Sequence, residues 1–496
     1  MSKSNNQSIT ISSSFLRSVN LASDFGRADS LDNYILQNST QRLVNVLNNH
    51  ISTSKQRAYT ITGPYGGGKS SLALLLASLV SKDQTLKKKA QGLLKGTDDL
   101  KSVWKSDKGW LVLPIVGKNE AVEKSIGDSI KKNTRKKIEG SNQNLIIAEL
   151  IRQAEDRPKD GVLLVIDELG KFLEHASKNE GDVYFYQLLA EAASRCKGKI
   201  IILGILHQSF EEYANKLGKS TQEEWAKIQG RWVDLPLVST TDEGVELIGK
   251  AIQTKDIPKT QKKVDRIFNV VAKSVQKRRP NLSTNYANSP TSCWRLNPIV
   301  STLVGPISRK KFSQNERTIF SFLTSAEPFG FNEFIHSKNI ELLYGPETYW
   351  DYLKANFEQS IMQSSDGHRW AVANEAIERT EERNGCTELH IKIIKTIALL
   401  DLFKTNSGLY PEDKVLETTL SKTSKSIKEI ISDLARWSII IYKKHLNSWA
   451  IYSGSDFDID KSINETRLNA GALDKNYIST LVDLNVVVAK RHYHQN

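Results

Sequence analysis

Apolar residues along the chain fall into two textures. In the first half, Ala58–Thr62, Trp110–Val116, Val162–Ile166, Ile200–Leu206 and Val233–Leu237 are largely apolar runs of strand length. Runs that are continuous rather than alternating predict strands covered on both faces. Helical stretches separate them, which predicts a parallel sheet in an α/β fold. Residues 1–57 are polar, with one helical pattern through Leu31, Ile35, Leu43, Val44 and Leu47. Two Lys-rich stretches, Lys82–Lys108 and Lys118–Gln143, read as surface insertions around the sheet.

The second texture begins near Thr254, where the strand runs stop. Helical patterns follow at Val264–Val275 and Glu316–Leu323, separated by the Pro-, Asn- and Ser-rich Pro280–Pro290. From Leu389, one helix face is marked by Ile391, Ile394, Ile397, Ala398 and Leu402, and Val415–Leu420 is a shorter second helix. Ile427, Ile430, Ile431 and Leu434 mark a third, over Lys425–Trp437. Ile439–Tyr442 and Trp449–Tyr452 then flank a polar turn, the pattern of a hairpin. Three helices followed by a β-hairpin is the order of a winged-helix module. No repeat of 20–50 residues is present.

With 496 residues, 39% of them hydrophobic and 25% charged, the chain is long enough for about three domains. Those fractions exclude collagen-like, coiled-coil-only and wholly disordered chains. No apolar run reaches the ~18 residues of a membrane span, and the polar start lacks the layout of a secretory signal. Cys196, Cys293 and Cys386 are scattered, forming neither a disulfide framework nor a zinc pattern. The expectation is a soluble, cytoplasmic protein with no membrane partner. The formal charge of +13 is concentrated between Gln253 and Phe312, where thirteen Lys or Arg face two Asp. That distribution fits either a solvated basic surface or a nucleic-acid partner.

The first strand run leads into Gly63-Pro64-Tyr65-Gly66-Gly67-Gly68-Lys69-Ser70, which matches G-x-x-x-x-G-K-[ST] at every fixed position. A helix pattern, SSLALLLASLV, follows directly and starts at Ser70 and Ser71. Glycines here let backbone N–H groups cradle phosphates at the positive end of a helix. Lys69 is expected to reach the β- and γ-phosphates of ATP, and Ser70 to ligate Mg²⁺.

Val162–Ile166 ends in Asp167-Glu168. Two carboxylates at the end of a buried strand are costly unless they are used. Asp167 is expected in the Mg²⁺ shell, and Glu168 as the base that orients and deprotonates an attacking water. Ile200–Leu206 finishes in His207-Gln208, either a local cap or a contact to the γ-phosphate or the water. Arg231, just before the last strand run, is either a surface residue or a charge that faces a neighbouring subunit's nucleotide.

The succession Gly63–Ser70, Ile166-Asp167-Glu168, Leu206-His207-Gln208 and Gly230-Arg231-Trp232 resembles the AAA+ ATPases. In that family these parts are called Walker A, Walker B, sensor 1 and arginine finger. The resemblance implies an α/β P-loop core over 58–253, a helical lid with a basic linker over 254–388, and a winged-helix-like domain over 389–460. It also makes Arg317, in Asn315-Glu316-Arg317-Thr318, the candidate for a second sensor in the lid. Core, lid and winged helix together resemble the replication-origin-recognition initiators. HQSFEEYA, EEWAKIQGRWVDLP, LNPIVSTLVGPISRKKFSQNERTIFSFL and ARWSIIIYKKH are similar to the large ATPase subunits of BREX-type anti-phage operons. Lys69 and Asp167 lie 98 residues apart, a longer interval than in the compact family core. The C-terminal segment, residues 461–496, ends on VDLNVVVAKRHYHQN, which fits either a longer chain or a natural terminus.

The resemblance implies ATP hydrolysis with Mg²⁺, nucleotide-dependent homo-oligomers and conformational work on DNA or a partner protein, including other subunits of a defence complex. Two other functions stay open: a nucleotide-gated DNA- or protein-binding scaffold with little hydrolysis, and a STAND-type signalling switch. In the winged helix, Lys425, Lys428 and Arg436 on the third helix and Lys443, Lys444 and His445 on the hairpin would meet DNA. Glu429 and Asp433 share that helix, so a protein-binding use stays open as well.

Overall fold

The computed structural model describes residues 9–12, 19–64, 66–98, 100–134, 142–178, 183–208, 230–254, 261–280, 293–310, 319–336, 342–419 and 424–453. The elements below run from Ile9 to Ile451.

Five strands form a parallel sheet: β2 (Ala58–Thr62), β3 (Leu111–Val116), β4 (Val162–Asp167), β5 (Ile200–Leu206) and β6 (Val233–Pro236). Their order is β3-β4-β5-β2-β6, so β2 is central, between β5 and β6. β2, β4 and β5 are buried along their whole length, as their unbroken apolar runs require. The register pairs Thr62 with both Leu206 and Pro236. The residues next in line, Gly63, His207 and Leu237, therefore emerge at one edge of the sheet.

Helices cover both faces. On one lie α1 (Asn38–Thr53) and α2 (Lys69–Leu79), sharing a core with Tyr59, Ile61, Leu163 and Ile205. On the other lie α3 (Val122–Thr134), α4 (Gln143–Glu155), α5 (Leu169–Lys178) and α6 (Tyr184–Arg195), packed on Leu113, Leu164 and Ile202. The two Lys-rich stretches do more than ornament the surface. Ala90, Leu94, Val103 and Trp104 from the first are buried in one face, and Val122, Ile126 and Ile130 from the second in the other. Their lysines alternate with apolar residues at helical spacing, so each stretch is a crossover that also carries a solvated face.

A two-stranded antiparallel ribbon joins β1 (Ile9–Ile11) to β7 (Ile252–Thr254). After α7 (Thr241–Ala251), the chain becomes helical: α8 (Gln261–Arg278), α9 (Pro298–Ser308), α10 (Pro346–Met362) and α11 (Gly367–Glu381). Asn297 caps α9 by accepting from the Ile299 N–H at 2.9 Å, with Pro298 in the first turn, where its missing donor costs nothing. Next come α12 (Glu388–Ser407), α13 (Asp413–Leu416), α14 (Ser424–Arg436) and the hairpin β8 (Ile440–Lys443)–β9 (Ser448–Ile451). This is the winged-helix order. Gly408, at φ 74°, ends α12 in the left-handed conformation typical of a helix stop. Residues from α8 through β8 share one apolar core, including Phe268, Leu303, Trp350, Trp370, Ile397 and Leu434. Among the described residues, no helix is long and apolar enough to cross a membrane.

Candidate functional site

The loop after β2 turns back sharply before α2 begins. A Cβ at Gly63 would lie 2.4 Å from the Leu237 carbonyl oxygen, so no other residue fits without moving β6. Gly68 stands before α2 at φ 83°, a region open to glycine and strained for other residues. Gly67 donates its N–H to the Pro64 carbonyl at 3.2 Å, tightening the loop. Tyr65 lies outside the described residues. Lys69 is buried, and its Nζ donates to the Gly63 and Pro64 carbonyls, each at 2.6 Å. The ammonium is thus folded against the loop that carries it. Ser71 sits half-buried in the first turn of α2.

Ser70 Oγ donates to Asp167 Oδ1 at 3.1 Å, joining the start of α2 to the end of β4. The same oxygen accepts the Glu168 N–H at 2.9 Å. Burial pushes the Asp167 carboxyl above its ordinary value, while those two bonds and the Lys69 charge hold it back. Glu168 turns at φ 51°, a strained position for a side-chain-bearing residue. Its carboxylate is ion-paired with Lys171, one helical turn away, and is a third exposed. Strain at such a position is commonly retained where geometry is needed for function.

His207 and Gln208 follow β5 at the same edge, both half-buried. The structure thus gathers Gly63, Pro64, Gly66, Gly67, Gly68, Lys69, Ser70, Asp167, Glu168, His207 and Gln208 at one end of the sheet. It does not bring Arg231 there. Val233 pairs with Tyr59, so Arg231 lies at the opposite edge, ~20 Å from Gly63 along the strands at ~3.3 Å per residue. There its Nε donates to Glu191 Oε1 at 2.6 Å, and Arg195 reaches the other oxygen at 3.3 Å. Bonds from Gln187 and Arg231 hold the Glu191 carboxyl below its ordinary value. Arg317 lies outside the described residues.

One polar junction escaped the motif reading. Glu243 is buried; Oε1 accepts the Ser39 N–H at 2.6 Å and Oε2 the Thr240 N–H at 2.8 Å, so one carboxylate serves the first turns of α1 and α7. Arg309, just past α9, donates to the Ser239 carbonyl. Burial and the neighbouring Arg279 push its guanidinium below the ordinary value, against the pull of Glu243. Ser239 is two residues beyond Leu237, which abuts Gly63. The loop edge, the N-terminal helix and the helical region therefore meet at Ser239–Glu243. The spacing Thr240-x-x-Glu243 is a capping-box signature and was the available signal.

No protein-family model matches the chain, and a search of curated proteins returns no match. Similar solved structures include Drosophila ORC bound to DNA (13% identity, TM-score 0.29, covering 86% of this chain and 87% of that one). They also include the Aeropyrum pernix ORC2 protein in its ADP form (12%, 0.34, 88% and 95%) and the A. pernix ORC1 protein in complex with DNA (11%, 0.28, 90% and 95%). At those TM-scores the fold assignment rests on the strand order and the loop geometry.

Proposed function

We propose that this chain is a P-loop ATPase that hydrolyses ATP and passes the nucleotide state to its helical region. The observation that carries the reading is the Ser70–Asp167 hydrogen bond, which places a hydroxyl and a carboxylate from two motifs together beside Lys69 and Glu168. Two hard oxygen donors, one at the start of α2 and one at the end of β4, suit Mg²⁺, so Ser70 and Asp167 would hold it. Mg²⁺ bound there supplies neutralisation of the phosphate charge. Backbone N–H groups of Gly66–Ser71 bind the phosphates, and Lys69 exchanges its two carbonyl partners for phosphate oxygens. Glu168, released from Lys171, orients a water and takes its proton; His207 or Gln208 positions that water or the γ-phosphate.

The finer reading is an AAA+ initiator-type machine, related to BREX-type subunits, working in phage defence on DNA or within a defence complex. The motif succession and the four quoted segments support it. In that reading Arg231, remote from its own chain's loop, acts on a second copy, and Arg317 serves the lid. The Glu168–Lys171 ion pair favours a second reading, a nucleotide-gated scaffold that turns over little ATP until the pair opens.

The test is ATP binding and phosphate release by the full chain and by Lys69→Ala. Loss of both in the variant supports the reading. Unchanged binding in Lys69→Ala contradicts it.

A further inference from the structure

We propose that the outer face of α8, continued by the tip of the β8–β9 hairpin, binds the phosphate backbone of duplex DNA without reading its bases. The inference rests on the DNA-directed reading above and assigns it a surface.

α8 is two-faced. Val264, Ile267, Phe268, Val271, Ala272 and Val275 are buried in the helical core. The exposed positions are Lys262, Lys263, Arg266, Asn269, Lys273, Gln276 and Lys277. Apart from Lys263, their spacing of four, three and four residues to Lys273, then three to Gln276 and four to Lys277, keeps them on one stripe. At 1.5 Å per residue the stripe runs ~22 Å from Lys262 to Lys277, the length of about six base pairs. It holds four cations and two amides; the half-exposed Asp265 borders it, and at its end Lys277 Nζ is paired with Glu412 Oε2 at 3.4 Å.

The end of the stripe is fastened to the hairpin. Arg278 Nη2 donates to the Leu446 carbonyl at 2.8 Å, Nη1 pairs with Glu412, and the guanidinium lies 3.9 Å from the centre of the Tyr410 ring. That clamp sets Lys277 beside the tip, where Lys444 and His445 are exposed and Lys443 is half-buried. Two basic segments far apart in sequence thereby form one surface.

The helix that a winged-helix module would send into a major groove shows no such field among its described side chains. Among the described side chains of α14, which do not include Lys425, the exposed or half-exposed charges are Lys428, Glu429, Asp433 and Arg436, and Arg436 Nη2 is tied to Asp433 Oδ1 at 2.6 Å. These charges cancel. A straight cationic stripe beside a helix of mixed charge fits phosphate contacts, which position a duplex without specifying its sequence. An acidic protein would want apolar or aromatic anchors within the stripe, and it has none.

The experiment measures affinity for a mixed-sequence duplex across a salt series by fluorescence anisotropy. It compares the full chain, the triple variant Lys262→Glu/Arg266→Glu/Lys273→Glu, the pair Lys443→Glu/Lys444→Glu, and Lys428→Glu. Each phosphate contact contributes ~0.9 to the log–log salt slope, so the triple variant is expected to lose nearly three units. The hairpin pair should lose one to two, Lys428→Glu almost nothing, and a second unrelated duplex should behave alike. Nucleotide binding by each variant checks its fold; single Lys273→Glu, expected to cost about one unit, replaces the triple if that misfolds. A full chain that binds duplex, with an unchanged slope in the α8 variants, overturns this surface and leaves the DNA-directed reading standing. A full chain that binds an acidic polypeptide and no duplex overturns both.

Discussion

A Cβ on Gly117 would lie 2.2 Å from the carbonyl oxygen of Glu168. The end of β3 thus presses directly on the residue proposed as the base, and the Gly117 N–H also donates to the Asp167 carbonyl at 2.8 Å. Glu168 is held in its left-handed turn by a neighbour without a side chain. Gly117→Ala should therefore leave ATP affinity within about twofold and cut hydrolysis by about 100-fold, the cost of a misplaced group. Binding and phosphate release, measured side by side, check it; equal losses in both would place Gly117 in the folding of the loop instead.

Gly63 and Gly68 are constrained for different reasons, and their variants should differ. A Cβ at Gly63 meets backbone, whereas one at Gly68 meets open space but a strained φ. Gly63→Ala is expected to lose about 1–3 kcal/mol through overpacking, together with ATP binding. Gly68→Ala should lose about 1 kcal/mol through strain alone. Denaturant unfolding separates the two.

The sheet was legible because its strands are unbroken apolar runs, and the phosphate loop because its motif sits between a strand and a helix. The β1–β7 ribbon was not: three-residue strands separated by some 240 residues leave no local pattern. Glu243 was equally hidden as a junction, since nothing near it in sequence reveals Ser39 or Arg309. Arg231 was found as a candidate, yet its pairing with Glu191 depends on how α6 packs beside β6, which periodicity does not encode.

Removing that junction should be costly. Glu243→Ala leaves the Ser39 and Thr240 N–H groups without their acceptor, and stability should fall by about 1–3 kcal/mol for each buried donor stranded. Glu243→Gln, which keeps an acceptor, should recover part of the loss. Melting curves of both variants test this ranking.

Arg231 makes a prediction about assembly. Arg231→Ala should preserve ATP affinity, and it should abolish any rise in turnover per chain as protein concentration increases. Glu191→Gln, which weakens the hold on Arg231, should shift that rise to lower concentration. Turnover measured against concentration, with light scattering for the assembled state, decides it. A dilute monomer that hydrolyses at full rate, unaffected by Arg231→Ala, removes the arginine from the reaction.

The central claim is that one site binds ATP and hydrolyses it, with Glu168 serving only the second step. The most direct test is Glu168→Gln, with ATP affinity and phosphate release measured on the same preparation in the presence of Mg²⁺. The amide keeps the shape and removes the base, so affinity should match the unaltered chain while release falls by about 100-fold or more. Phosphate release at the unaltered rate from Glu168→Gln would contradict the account.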